Sequence, residues 1–289
     1  MRAVVTGAGG FAGAWLVELL VNDGHDVTAW TRRPGQKHTA AQQSRCVDIR
    51  DADAVLEAMT EDMPEGVFHL AAVTNIAQCT QQPLEACATN TQGTLNVVMA
   101  MPNGARAVLA STCHVYGQPH TLPIDEAHST QPTNVYASSK LEAERVALSS
   151  GQDVVIARSF HHTGPGQSTQ YALADWAQQV RSGAQSIRTG DLNLRRDYCD
   201  VRDIVSGYSL LMTAGVAGET YNLCSGEAPT LREMLSWMAG NRSVGVTEVS
   251  DRVRRGDIPE FRGDPSKAEE LGWTREYSLR KTLLDMASR

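Results

Sequence analysis

Over the first 160 residues, short β-branched and apolar runs alternate with stretches whose apolar side chains recur every three or four positions. Runs of the first kind at Arg2–Thr6, Val27–Trp30, Cys46–Asp48, Val67–Ala71, Ala107–Ser111 and Val154–Arg158 predict strands. The second kind predicts helices over Phe11–Asn22, Asp51–Met59, Pro83–Met101 and Val135–Ser149, with Phe11, Trp15, Leu16, Leu19 and Leu20 sharing one side of the first. Strands separated by helices imply a parallel sheet wound on both faces, because a parallel pair needs a crossover long enough to hold a helix. Beyond Arg158 the rhythm breaks. Turn-forming segments at Thr163–Gly166, Gly190–Asp191 and Ala228–Pro229 separate helical patterns over Tyr171–Ser182, Val201–Thr213 and Leu231–Ala239. The expected fold is α/β: a doubly wound parallel-sheet domain over residues 1–160 and a smaller mixed α/β domain mainly over 161–289. The 197–225 region is expected to return to the first domain.

Charge and cysteine usage narrow the function. The 289 residues hold 33 Asp and Glu against 26 Lys and Arg, a formal net charge of -7, which argues against a nucleic-acid partner. Bases are unevenly placed, with 9 in residues 1–157 and 17 in residues 158–289, so the second half is where an anionic ligand could be gripped. No apolar run approaches the ~18 residues of a membrane span. The chain enters its first strand at Arg2, which leaves no room for a signal peptide, and six scattered cysteines without a CxxC spacing suit a reducing cytoplasm.

Between the first strand and first helix lies Thr6-Gly7-Ala8-Gly9-Gly10-Phe11-Ala12-Gly13. Glycines at 7, 10 and 13 permit a tight turn and let backbone approach a pyrophosphate seated on the helix N-terminus. Gly7, Gly10, Phe11 and Gly13 are therefore candidate dinucleotide-binding residues. An acid ending the second strand would bind a free ribose 2′-hydroxyl, whereas arginine accommodates a 2′-phosphate. Here the strand runs into Arg32 and Arg33, which favours NADP over NAD; a solvated basic turn is the bland alternative. Asp48 could reach the adenine edge or be a plain surface acid.

Tyr136 and Lys140, in Tyr-Ala-Ser-Ser-Lys, are spaced i, i+4 and share one helix face. An ammonium one turn from a phenol can tune it as a general acid. Thr112, in Ser111-Thr-Cys-His-Val-Tyr-Gly117, would sit at the carboxyl end of a strand, where open parallel sheets bind ligands.

With these motifs the chain resembles an extended short-chain dehydrogenase/reductase of the nucleotide-sugar type, built on a Rossmann domain. The resemblance runs through TGAGGFAG, HLAAVT (69–74), NTQGTLNV (90–97), STCHVYG, YASSK, RSFHHTGPGQ (158–167), RRDYCDVRDIV (195–205), YNLCSG (221–226) and GDPSKAEELGW (263–273). Within that group it is nearest the GDP-4-keto-6-deoxymannose reductases and GDP-mannose 4,6-dehydratases. The resemblance implies Thr112, Tyr136 and Lys140 as the catalytic triad and NADP or NAD as hydride carrier. It adds Ile49, Leu70, Ala71 and Ala72, with Lys140, to the cofactor site, and Thr74, Asn90, His161, Arg196 and Arg254 to the substrate site. It also implies a homodimer through the helices over Pro83–Met101 and Val135–Ser149.

Departures from that pattern carry information. Related dehydratases have carboxylates at positions 113 and 114, where this chain has Cys113 and His114, so dehydration is not expected. His114 could act as a ring acid/base, as an epimerase would need, or simply pack. His161 replaces the asparagine usual in the group and could still donate to phosphate. Adjacent His161 and His162 on extended chain point to opposite faces, so they make no metal site together. The expected function is NADPH-dependent reduction of the 4-keto group of a nucleotide-linked 4-keto-6-deoxy sugar, GDP-linked by resemblance. An epimerase retaining its NAD(P) and a silent dinucleotide-binding protein are the alternatives.

Overall fold

Apolar strand residues such as Val4, Val5, Val27, Ala29, Val67 and Phe68 are almost wholly buried, as a sheet covered on both faces requires. The computed structural model describes residues 1–240, 242, 244–249 and 257–288. In chain order the first part contains β1 (Arg2–Thr6), α1 (Phe11–Asn22), β2 (Asp26–Thr31), β3 (Gln43–Cys46), α2 (Ala52–Asp62), β4 (Gly66–His69), α3 (Ile76–Gln81), α4 (Pro83–Cys87), α5 (Gly93–Ala100), β5 (Arg106–Thr112), α6 (Val135–Leu148) and β6 (Asp153–Ser159). The rest contains β7 (His161–Thr163), α7 (Ala172–Arg181), β8 (Ser186–Thr189), β9 (Arg195–Arg196), β10 (Tyr198–Asp200), α8 (Val201–Ala214), β11 (Thr220–Leu223), α9 (Leu231–Ala239), β12 (Gly245–Glu248), β13 (Glu260–Phe261), α10 (Ser266–Glu270) and α11 (Leu279–Ser288).

Seven strands form one parallel sheet in the order β11-β6-β5-β4-β1-β2-β3. The order reverses between β1 and β4, and such a switch point opens a crevice at the strands' carboxyl ends. β11 and α8 come from the 197–225 region, with Val201, Ile204, Tyr208 and Leu211 buried in the core that also holds Leu16, Val17 and Leu20 of α1. That core also takes Ala268 and Trp273, from a segment expected mainly in the second domain. The Trp273 indole N–H donates to the Asp203 carbonyl at 3.0 Å, which gives this aromatic a reason to pack on α8 rather than farther out. A separate core joins α7, α9 and α11 through Leu173, Trp176, Met234, Met238, Leu283 and Met286.

Three expectations need correction. The third strand pairs Gln43–Cys46 with Thr28–Thr31, so Val47, like Ile49 beyond it, is buried in the following loop rather than in the strand. The helix expected over Pro83–Met101 is split by a π-helical turn at Ala88–Gln92. There the Thr94 hydroxyl bonds back to the Asn90 carbonyl at 2.6 Å, and the Asn90 and Thr91 side chains reach out of the helix to α6. Helices α3 and α11 lie where no helix was expected; α11 is held by its packing on α7 and α9.

Candidate active site

The glycine turn is shaped by contact. Gly7 has φ +69°, and a Cβ there would lie 2.7 Å from the Ala71 nitrogen; at Gly13 it would lie 2.3 Å from the Gly7 carbonyl oxygen. α1 therefore starts hard against β1 and the loop after β4. Its N-cap, Gly10, has no side chain to occupy the first-turn N–H groups, which leaves them for an anion. The Thr6 hydroxyl accepts from Leu70 N–H (3.2 Å) and Ala71 N–H (3.1 Å) and pairs with His69 Nδ1 at 2.8 Å. His69 Nε2 meets the Thr94 hydroxyl at 3.0 Å, so one buried imidazole ties the turn to α5. Burial, and then the Lys140 charge, pull the His69 pKa down to about 3, so it serves as a neutral strut.

Arg32 and Arg33 follow β2, both exposed. Arg32 stands 3.7 Å from Glu85 of α4, a loose surface pair that a phosphate could outcompete. Asp48 is chelated by Arg50, with nitrogen–oxygen distances of 2.9 and 3.1 Å. Ile49 packs against Gly93, and its carbonyl accepts from Asn96 at 2.9 Å. Leu70, Ala71 and Ala72 line the crevice beside Gly7, all half-buried. The glycine turn and the first-turn amides of α1 thus fit an extended dinucleotide.

Thr112 ends β5, and Tyr136 and Lys140 face it from α6, whose N-cap Asn134 accepts from Ala137 N–H. All three are nearly buried. Burial pushes the Tyr136 phenol above its usual value, with the Thr112 hydroxyl beside it pulling the other way. Burial draws the Lys140 ammonium down to about 8, opposed by the Glu144 carboxylate.

Glu144 follows Lys140 by one helical turn. It accepts from Arg158 at 3.0 and 2.7 Å and from the Ser111 hydroxyl. This buried pair clamps α6 to β5 and β6. Sequence reasoning missed it and His69, although the i, i+4 spacing from Lys140 to Glu144 was a usable signal.

The expected substrate residues divide. His161 lies beside His114, their rings edge to face at 5.4 Å, and His114 meets the Tyr136 ring edge at 6.1 Å. His162 turns the other way and stacks on Phe11 at 6.1 Å. The Thr74 hydroxyl pairs with that of Tyr171 at 3.1 Å, at the N-cap of α7. Arg196 donates to the Ile258 carbonyl at 2.7 Å and lies 3.9 Å from Asp257. Asn90 is a correction: it is fully buried and its amide is spent on Val73 and Ser139, so it braces the crevice wall rather than meeting a ligand. Arg254 lies outside the described residues. No described helix is long and apolar enough to cross a membrane.

Comparison with known proteins agrees with this geometry. Residues 3–224 match the model of the NAD dependent epimerase/dehydratase family. The chain is 33% identical to GDP-6-deoxy-D-mannose reductase of Pseudomonas aeruginosa, over 98% of this chain and 94% of that protein. The structure of RMD from Pseudomonas aeruginosa complexed with NADPH superposes with a TM-score of 0.87 at 28% identity, covering 100% of this chain and 98% of the other. The Thermus thermophilus UDP-glucose 4-epimerase complexed with NAD gives a TM-score of 0.87 at 27% identity, covering 99% and 98%.

Proposed function

The chain belongs to the NAD dependent epimerase/dehydratase family, an extended short-chain dehydrogenase/reductase, and from that premise we propose that it is an NADPH-dependent reductase acting on the 4-keto group of a nucleotide-linked 4-keto-6-deoxy sugar, with GDP as the nucleotide. The observation that carries this reading is the Thr112–Tyr136 pair at the end of β5, followed by Cys113 and His114 where a dehydratase needs carboxylates. A carbonyl can be reduced there without a ring base. Similarity to a GDP-6-deoxy-D-mannose reductase over nearly the whole chain supports the substrate class. An NADPH-bound relative and the Arg32–Arg33 strand end support the cofactor.

When bound, NADPH would supply hydride to the sugar C4. Tyr136 donates the proton to the C4 oxygen, and its raised pKa keeps that proton in place at neutral pH. Thr112 holds the same oxygen. Lys140 binds the cofactor ribose, and its positive charge lowers the cost of negative charge developing near the phenol. Gly7, Gly10, Phe11, Gly13, Asp48, Ile49, Leu70, Ala71 and Ala72 take the rest of the dinucleotide, so residues 1–160 with 197–225 serve the cofactor. Thr74, His161, Arg196 and Arg254 serve the nucleotide sugar. Leu84, Met99 and Leu148 are exposed around α4, α5 and α6, which supports a homodimer there, and we place the enzyme in the cytoplasm. Absorbance of added NADPH should fall only when a nucleotide-linked 4-keto sugar is supplied. Interconversion of two hexose nucleotides without net NADPH loss would overturn the reading in favour of an epimerase.

A further inference from the structure

Cys113 and His114 lie on the short 3-10 turn after β5, and His161 opens β7. The fold brings their side chains together: Cys113 Sγ and one ring nitrogen from each histidine all lie within 4.8 Å of one another. His161 Nδ1 is buried and has no hydrogen-bond partner among the described residues. Tyr198 lies against the His161 ring at 5.1 Å, and Phe261 packs on both imidazoles at 6.2 Å, so aromatic carbon walls the cluster.

We propose that Cys113, His114 and His161 form a binding site for a soft divalent transition-metal ion, with Zn²⁺ the best fit. One thiolate and two imidazoles with a position left open is a donor set that zinc takes readily. Tetrahedral bonds of about 2.0–2.3 Å put ligand atoms about 3.3–3.6 Å apart, so the three must draw in by on the order of 1 Å. The His114 and His161 rings can supply that by rotation. On binding, the zinc–sulfur bond forms as the Cys113 S–H bond breaks, and the proton leaves to water; zinc changes no oxidation state. The nearby Arg196 charge opposes a cation, and the buried Asp197 carboxylate beyond Cys113 offsets it. A filled site would place a metal beside the Tyr136 ring and withdraw His161 from the nucleotide sugar, so metal and substrate compete for that residue. This goes beyond the reductase reading and does not depend on it.

Cobalt makes the site visible. Titrating Co²⁺ into the full-length chain should give one ion per chain and a thiolate-to-cobalt charge-transfer band in the near ultraviolet, displaced by Zn²⁺. Cys113→Ser should lose the band. His161→Asn should keep the thiolate but weaken Zn²⁺ binding by about a hundredfold or more, beyond the ~10–100-fold typical of losing an outer partner. His161→Asn decides the matter alone if Cys113→Ser does not fold by circular dichroism. Absence of a charge-transfer band in the wild type, or Zn²⁺ affinity unchanged in His161→Asn, overturns the proposal.

Discussion

Raising the pH should silence the enzyme through Lys140 rather than through Tyr136. Burial brings the lysine from 10.5 to about 8, against the pull of Glu144, while burial holds the phenol above its usual 10. The ammonium is therefore present below about pH 8 and lost as pH rises through that value, whereas Tyr136 keeps its proton over the same window. One unit above the midpoint about a tenth of the molecules still carry the charge, and two units above, about a hundredth. If turnover needs the ammonium, kcat/KM for NADPH, which reports the ligand-free enzyme, should fall about tenfold per unit on that limb. The assay is the rate of NADPH consumption at limiting NADPH across about pH 6 to 10, for wild type and Lys140→Arg. A guanidinium stays charged throughout. The variant, slowed at neutral pH by its poor fit, should therefore lack the alkaline limb. The same limb at the same pH in both proteins would refute the assignment to Lys140.

Three further outcomes follow from the geometry. Tyr136→Phe should leave NADPH affinity nearly unchanged while kcat falls by roughly 10²–10⁴-fold, as measured by steady-state kinetics beside a fluorescence titration of the cofactor. Arg32→Ala should weaken NADPH binding by ~1–2 kcal/mol while sparing NADH, and Glu85→Gln, which frees Arg32, should tighten NADPH; calorimetric titration with both cofactors checks the pair. Gly13→Ala forces a Cβ to within 2.3 Å of the Gly7 carbonyl oxygen, so it should lower both Tm and NADPH affinity, and unchanged values would mean the turn yields more easily than its packing implies.

Much of the glycine turn and of the Tyr136–Lys140 helix face was legible because their demands are local. A turn that must pass under α1 writes glycines at 7 and 13, and a phenol one helical turn from an ammonium writes Tyr136 and Lys140. The π-helical turn was not legible, since Asn90 and Thr91 leave the α-helical ladder to bond with Val73 and Ser139, which are remote in sequence. The same holds for His69 between Thr6 and Thr94, and for Cys113 beside His161. Those neighbours exist only once β1 pairs with β4 and β7 continues from β6 past the end of β5. The edge strand was misplaced for a related reason: its polar Gln43–Cys46 is recruited by β2, while the apolar signal lies just after it.

The most direct test of the central claim follows one hydrogen. NADPH carrying deuterium at the transferable position of its nicotinamide should be incubated with GDP-4-keto-6-deoxymannose and the enzyme, and the sugar product examined by mass spectrometry and NMR. A reductase predicts product one mass unit heavier, with deuterium on the sugar C4 and one NADPH consumed per product. Product without deuterium, or turnover with the NADPH pool undiminished, would contradict it.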